Sequence, residues 1–198
     1  MAILKKVEQQ TNNKFLNMYN LSFYNKETNK EFNYFIASRK DKNSLVALHK
    51  KLDKADAVMM FCMYTNGDIV LIRQFRPAIN NYIYESPAGL IDEGETILEA
   101  AKREVYEETG LAVIDCFELV KPSYTSEGIS DESVAIYMCL VDGEPTTEHA
   151  EENEDIEVVV VKAADIDKFL KEETVSIKTA LLMLNVKMLR YFELMGNK

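Results

Sequence analysis

Segment 89–111, GLIDEGETILEAAKREVYEETGL, limits what this chain can fold into more than any other stretch. Between positions 96 and 109 the apolar residues Leu98, Ala101 and Val105 recur at helical spacing, and Gly110 stands where a helix C-cap is expected. On a helix turning about 100° per residue, Glu104, Glu107 and Glu108 fall within an arc of roughly 100° beside that apolar stripe. Like charges three and four residues apart repel, and carboxylates near a helix C-terminus oppose the macrodipole. Such a helix breaks two local rules at once. A bound divalent cation relieves both, because hard ions gather several carboxylate oxygens. For an isolated E-x-x-E-E the ordinary alternative is a solvated acidic face.

The remaining pattern alternates between strands and helices. Positions 15–24 and 32–38 are aromatic-rich and strand-like, separated by the polar stretch 25–31, and predict a hairpin. A run of Val, Met and Phe at 57–64, the turn Thr65-Asn66-Gly67-Asp68 and the run 69–72 predict a second hairpin, since Asn-Gly is the strongest short signal for such a turn. A further strand begins at 82–84 and is expected to end at Pro87-Ala88-Gly89. Strands are predicted over 113–120, 133–141 and 156–161. A short helix over 164–171 and a longer amphipathic one over 176–195 follow, with Ser176 as N-cap. The order of strands, helix, strands and helices gives an α+β or α/β sandwich with mixed sheets. The expected division is an N-terminal strand extension, 1–40, and a main domain, 41–198.

A formal net charge of −10 argues against a nucleic-acid partner and against an anionic membrane surface, because both are held by Lys and Arg. If the substrate carries phosphate, bound cations must reverse the local field. No apolar window approaches the ~18 residues of a membrane span, and the first residues lack an apolar core of a leader, so a cytoplasmic protein is expected. The three cysteines, Cys62, Cys116 and Cys139, lie in apolar segments without close pairing and read as reduced core thiols. The two histidines, His49 and His149, are far apart, which disfavours a histidine zinc site or a Ser/His/Asp triad. Catalysis then falls to carboxylates.

Those carboxylates have a specific spacing. Gly89, Glu95, Arg103-Glu104-Val105, Glu107-Glu108 and Gly110-Leu111 match the defined positions of the Nudix box, and the chain resembles the Nudix hydrolase family on that ground. The resemblance implies a Nudix-type α/β/α sandwich carrying a loop-helix-loop metal site for Mg²⁺ or Mn²⁺, with about two or three ions. It implies Glu104 and Glu108 as principal ligands, Glu107 beside them, and the carbonyl of Ala88 as a further oxygen donor. Glu95 and Arg103 are implied as an orienting ion pair, and Gly89 as the residue that permits a tight loop entry.

Three weaker stretches resemble the ADP-ribose pyrophosphatase branch. Arg73-Gln74-Phe75-Arg76-Pro77 followed by Glu85-Ser86-Pro87-Ala88-Gly89 implies that Arg76, with Arg73 and Gly89, meets the substrate; a planar guanidinium suits phosphate because it donates two hydrogen bonds. Ser126-Glu127-Gly128-Ile129-Ser130-Asp131-Glu132 resembles a branch loop whose closing glutamate implies that Glu132 is near the substrate. The branch carries proline where Glu127 stands, which leaves room for other sugar nucleotides such as GDP-mannose or UDP-glucose. Glu151-Glu152-Asn153-Glu154-Asp155-Ile156 resembles the branch's catalytic loop and implies Glu152 as general base and Glu154 as an additional metal ligand. The resemblance also implies a homodimer through the N-terminal hairpin, the alternative being a hairpin packed on its own domain. Tyr82, Tyr84 and Tyr124 are candidates for stacking on a base, with core or surface packing as the ordinary alternative. The expected function is metal-dependent hydrolysis of the pyrophosphate bond of ADP-ribose or a related nucleoside diphosphate sugar, giving a nucleoside monophosphate and a sugar phosphate. The rival is a non-catalytic nucleotide-binding module, which the complete set of box carboxylates disfavours.

Overall fold

Positions 58–62 and 69–72 are apolar throughout, the pattern of strands covered on both faces. In the computed structural model, which describes residues 1–150 and 155–196, they form β4 (Ala57–Met63) and β5 (Ile69–Arg76). These pair antiparallel across the expected turn, Cys62 with Val70 and Met63 with Ile69. The three N-terminal strands are β1 (Ala2–Gln9), β2 (Asn17–Asn25) and β3 (Lys30–Ser38). Beyond β5 come β6 (Asn81–Glu85), β7 (Ala88–Leu90), β8 (Ala112–Tyr124), β9 (Ser133–Asp142) and β10 (Ile156–Val161). A seven-stranded sheet runs in the order β10-β5-β4-β9-β8, with β6 on β5 and β7 on β4. The strand expected to run into Pro87-Ala88-Gly89 therefore stops at Glu85, and a separate short strand pairs Ala88 with Met59. A proline between them has no N–H for a ladder, which breaks the run.

Compactness separates 57–120 with 135–198, which carries most of this sheet, from 1–56 with 121–134. In the larger unit, alternate residues of β4 and β5 enter different cores, as the two-residue period of a strand requires. Val58, Met60, Cys62 and Val70 meet Ala100, Ala101 and Val105 of α2 (Ile97–Thr109). Phe61, Ile69 and Leu71 meet Ile166 of α3 (Ile166–Glu172) and Met183 of α4 (Ile177–Gly196). Helices on both faces of one sheet make the expected α/β/α sandwich. Among the described residues no helix is long and apolar enough to cross a membrane.

Helix α2 is bounded by local chemistry. Thr96 and Glu99 close a capping box: the Thr96 hydroxyl accepts the Glu99 N–H, and the Glu99 carboxylate accepts the Thr96 N–H at 2.9 Å. At the other end Gly110 adopts φ 70° and its N–H returns to the carbonyl of Tyr106, so the last turn closes where the glycine was expected. Ser176 precedes α4, and its hydroxyl bonds the Thr179 hydroxyl at 3.0 Å.

In the smaller unit β1, β2 and β3 form an antiparallel sheet in that order over a core of Val7, Tyr19, Leu21, Ile36 and Leu45. The β2–β3 hairpin is the expected one. Strand β1 was not expected, because Lys5, Lys6 and Glu8 flank a single buried residue, Val7, and leave no apolar alternation to read. A short 3₁₀ turn (Lys42–Ser44) and α1 (Val46–His49) follow. Segment 121–134 belongs with these strands: Ser130 bridges Ala37, Asp131 accepts the Val46 N–H, and the Asp56 carboxylate accepts both the N–H and hydroxyl of Ser133. This unit is larger than an extension ending at residue 40.

The expectation of three separate thiols is corrected. Cys116 of β8 and Cys139 of β9 face each other with Cα atoms 4.3 Å apart and their sulfurs are joined, while Cys62 is free and buried. Neighbouring strands bring together two residues whose separation of 23 positions carried no such signal.

Removing the Thr96 hydroxyl breaks the capping box at the entry to α2. Thr96→Ala is expected to lower unfolding free energy by about 1 kcal/mol, measured by urea denaturation; an unchanged midpoint at equal slope contradicts this role for the cap.

Candidate active site

Helix α2 puts Arg103 and three of its acidic neighbours on one side, and the arginine uses all five of its N–H donors there. Its Nε reaches Glu95 Oε1 and its Nη2 reaches Glu95 Oε2, both at 2.9 Å. Nη2 also donates to the Leu90 carbonyl at 3.1 Å. Nη1 donates to Glu104 Oε1 at 2.7 Å and to Glu107 Oε2 at 3.0 Å. One side chain thus ties the loop before the helix, through Leu90 and Glu95, to the carboxylates on the helix. Glu95 also accepts the Asp92 N–H at 3.1 Å, which closes the loop on itself.

Charge follows this geometry. The Arg103 hydrogen bonds hold the Glu95 carboxyl below the usual carboxylate range, against a smaller opposing effect of burial. The same bonds, Glu95 first, raise the guanidinium further above its ordinary value. The interaction is complete above the ordinary glutamate pKa and is lost as pH falls through the lowered one.

Glu108 lies one turn beyond Glu104 and is 3 % exposed. A buried carboxylate needs hydrogen-bond partners, and the Ala88 N–H donates to its Oε2 at 2.9 Å. Cys62 lies near it, and its thiol is pushed up first by burial and then by the Glu108 charge. Beside Ala88, Gly89 has no side chain where one would strike the Glu104 carboxylate, since a Cβ built there overlaps it. Glycine here serves close approach of β7 to the helix.

Along β5, residues two apart share a face. Arg76 therefore shares the face of Val70, which packs against α2, and its Nε bonds Glu85 Oε1 at 2.6 Å. Arg73, three residues away, turns to the opposite face. There it lies over the Tyr82 ring, 4.1 Å from its centroid, and pairs with Glu157 at 3.4 Å. The structure thus places Arg73 on the face of β5 opposite to Arg76. Tyr82 donates to Asp155, and that bond raises its pKa. Tyr84 packs edge-on against Phe169 with centroids 4.9 Å apart. In the smaller unit Glu132 accepts from Arg39 Nε at 3.4 Å and from the Thr125 hydroxyl at 3.3 Å, and Tyr124 lines an apolar hollow of about 520 Å³. Glu152 and Glu154 lie outside the described residues.

Sequence reading missed the partners that hold the named residues: Glu85 on Arg76, the Ala88 N–H on Glu108, and the capping box. Only the last carried a signal, Thr96-x-x-Glu99 ahead of an apolar run.

Among the described residues no three of His, Cys, Asp or Glu are grouped as a metal-holding set, and Glu104 and Glu107 are both turned to Arg103. The donor chemistry nevertheless fits a hard divalent cation: Glu95, Glu104 and Glu107 gather on a single guanidinium and Glu108 lies one turn beyond Glu104 against the Ala88 N–H, all with carboxylate oxygens. The hollow at Gly89 that a methyl would fill leaves the Glu104 carboxylate its space.

The chain is similar to known proteins of one family. A family model described as NUDIX domain matches residues 53–181. The ADP-ribose pyrophosphatase of Bacillus subtilis is 33% identical over 127 residues, covering 63% of this chain and 68% of that protein. The ADP-ribose pyrophosphatase of Saccharomyces cerevisiae is 35% identical over 112 residues, covering 53% of this chain and 48% of that protein. The match thus spans about half the length of the yeast relative. A crystal structure of an ADP compounds hydrolase superposes with a TM-score of 0.74 at 18% identity, covering 100% of this chain and 97% of that one, and shows the shared fold.

Two measurements check the site. Gly89→Ala is expected to displace the Glu104 carboxylate and weaken Mn²⁺ binding at least about tenfold by calorimetry, with an unchanged far-UV spectrum; native affinity contradicts the close approach. A carbon-13 titration of the Glu95 carboxyl is expected to fall below the ordinary glutamate range and to return to it in Arg103→Ala. An ordinary value in the unsubstituted protein contradicts the clamp.

Proposed function

The chain belongs to the NUDIX domain family, and on that premise we propose that it hydrolyses the pyrophosphate bond of ADP-ribose or a related nucleoside diphosphate sugar, releasing a nucleoside monophosphate and a sugar phosphate. The observation that carries the reading is the box itself, with Glu95, Glu104 and Glu107 gathered on Arg103 and Glu108 buried against Ala88. Support for the substrate class comes from the relatives named ADP-ribose pyrophosphatase and from Arg76 on the α2 face of β5. Members of this family generally use divalent ions, and Mg²⁺ or Mn²⁺, about two or three of them, suits an all-carboxylate donor set.

Glu104, Glu107 and Glu108, with the Ala88 carbonyl and Glu154, would hold these ions. When bound, they neutralise the diphosphate and lower the pKa of water beside it. The chain's own residues do the rest. Arg103 keeps Glu104 and Glu107 close to the loop that ends at Glu95, so the carboxylates are oriented before substrate arrives. Arg76, its plane fixed by the Nε bond to Glu85, donates remaining N–H groups to phosphate oxygens. Glu152 takes a proton from the attacking water as it adds in line to one phosphorus, and the opposite phosphate leaves.

The N-terminal strands carry the second part of the proposal, a homodimer. Phe15, Phe32, Tyr34 and Phe35 are exposed there, and a second copy would cover them. Glu127, where the branch has proline, keeps GDP-mannose and UDP-glucose within the substrate class. A cytoplasmic site of action is in keeping with this chemistry.

Glu108→Gln keeps the shape of the buried side chain but removes its charge. It is expected to reduce Mg²⁺-dependent release of AMP from ADP-ribose by at least about 100-fold with the melting temperature little changed. Near-native turnover removes Glu108 from the site. Absence of Mg²⁺-dependent turnover across ADP-ribose, GDP-mannose and UDP-glucose in the unsubstituted protein contradicts the activity itself.

A further inference from the structure

Two buried side-chain polar atoms among the described residues have no hydrogen-bond partner, Asn20 Oδ1 and Gln74 Oε1. Gln74 is the informative one. It is 9 % exposed and sits in β5 between Ile156 of β10 and Ile83 of β6. Directly paired residues of antiparallel strands share a face, so its side chain lies with those of Val70 and Arg76 on the α2 side of the sheet. Arg73 and Tyr82 occupy the opposite side. The structure thus sets an amide oxygen beside the guanidinium that the functional reading assigns to phosphate, and leaves that oxygen unsatisfied.

An acceptor buried without a donor destabilises the fold, whereas an apolar side chain of similar length in the same place would not. Neighbouring positions on this face, Val70 and Ile72, are apolar. The amide therefore has a use only when a donor arrives from outside. Ionised phosphate oxygens accept and cannot supply it. On a nucleoside diphosphate sugar the donors beside the diphosphate are sugar hydroxyls. Residues two apart on a strand are spaced by about 7 Å, which matches the reach from a phosphate held at Arg76 to a hydroxyl of the adjoining ring.

We propose that Gln74 Oε1 accepts a hydrogen bond from a sugar hydroxyl of the substrate next to the phosphate at Arg76, and so helps to select sugar nucleotides; this rests on the pyrophosphatase reading above. The hydroxyl belongs either to the nucleoside ribose or to the terminal sugar.

Gln74→Met keeps length and removes the acceptor. Calorimetry in a chelator, where no hydrolysis occurs, reads binding of ADP-ribose, ADP and 2′-deoxy-ADP separately from turnover. The expected result is about tenfold weaker ADP-ribose binding, together with a melting temperature of the ligand-free protein equal to or above that of the unsubstituted one. An equal loss for ADP that is absent for 2′-deoxy-ADP assigns the contact to the nucleoside 2′-hydroxyl; a loss confined to ADP-ribose assigns it to the terminal sugar. Unchanged ADP-ribose affinity, or a melting temperature that falls while affinity is kept, overturns the proposal. If the unsubstituted protein binds ADP-ribose but does not cleave it with Mg²⁺, the activity fails while this contact stands.

Discussion

A single guanidinium holds the candidate site together. Arg103 joins a loop and a helix that would otherwise repel through their carboxylates, and it does so with five hydrogen bonds to Leu90, Glu95, Glu104 and Glu107. Helix α2 on its own would be a poor helix at its C-terminal end, where several negative charges meet the negative end of the dipole. Its core face, through Ala100, Ala101 and Val105, anchors it on the sheet and makes the charged face tolerable. Packing stabilises what local electrostatics disfavours, and the residual excess of negative charge is what suits the surface to cations.

The sheet determines which side chains can join that site. Because β5 alternates, Arg76 and Gln74 lie toward α2, whereas Arg73 lies toward Tyr82 and Glu157. Close approach of β7 adds the second constraint: only glycine at position 89 clears the Glu104 carboxylate, and the Ala88 N–H beside it holds Glu108. Two adjacent backbone positions thus serve two carboxylates a turn apart on the helix.

Much of this was legible in the residues. The helix from its apolar stripe and Gly110 and the hairpin at Asn66-Gly67 follow from period and turn chemistry, because each is set by local interactions. What escaped reading depends on contacts distant in sequence. Cys116 and Cys139 meet only because β8 and β9 are neighbours, and segment 121–134 joins the N-terminal strands through Ser130, Asp131 and Ser133. Strand β1 escaped for the opposite reason, since its solvated face leaves Val7 alone to mark it. The opposite face of Arg73 follows from its odd separation from Arg76 along the strand.

Crystals grown with Mn²⁺ and a methylene-bridged analogue of ADP-ribose test most directly whether the box glutamates bind divalent ions against a diphosphate. Anomalous peaks are expected within bonding distance of the Glu104 and Glu108 carboxylates and of the analogue's phosphate oxygens. Bound analogue with no anomalous peak beside those carboxylates contradicts metal binding by the box.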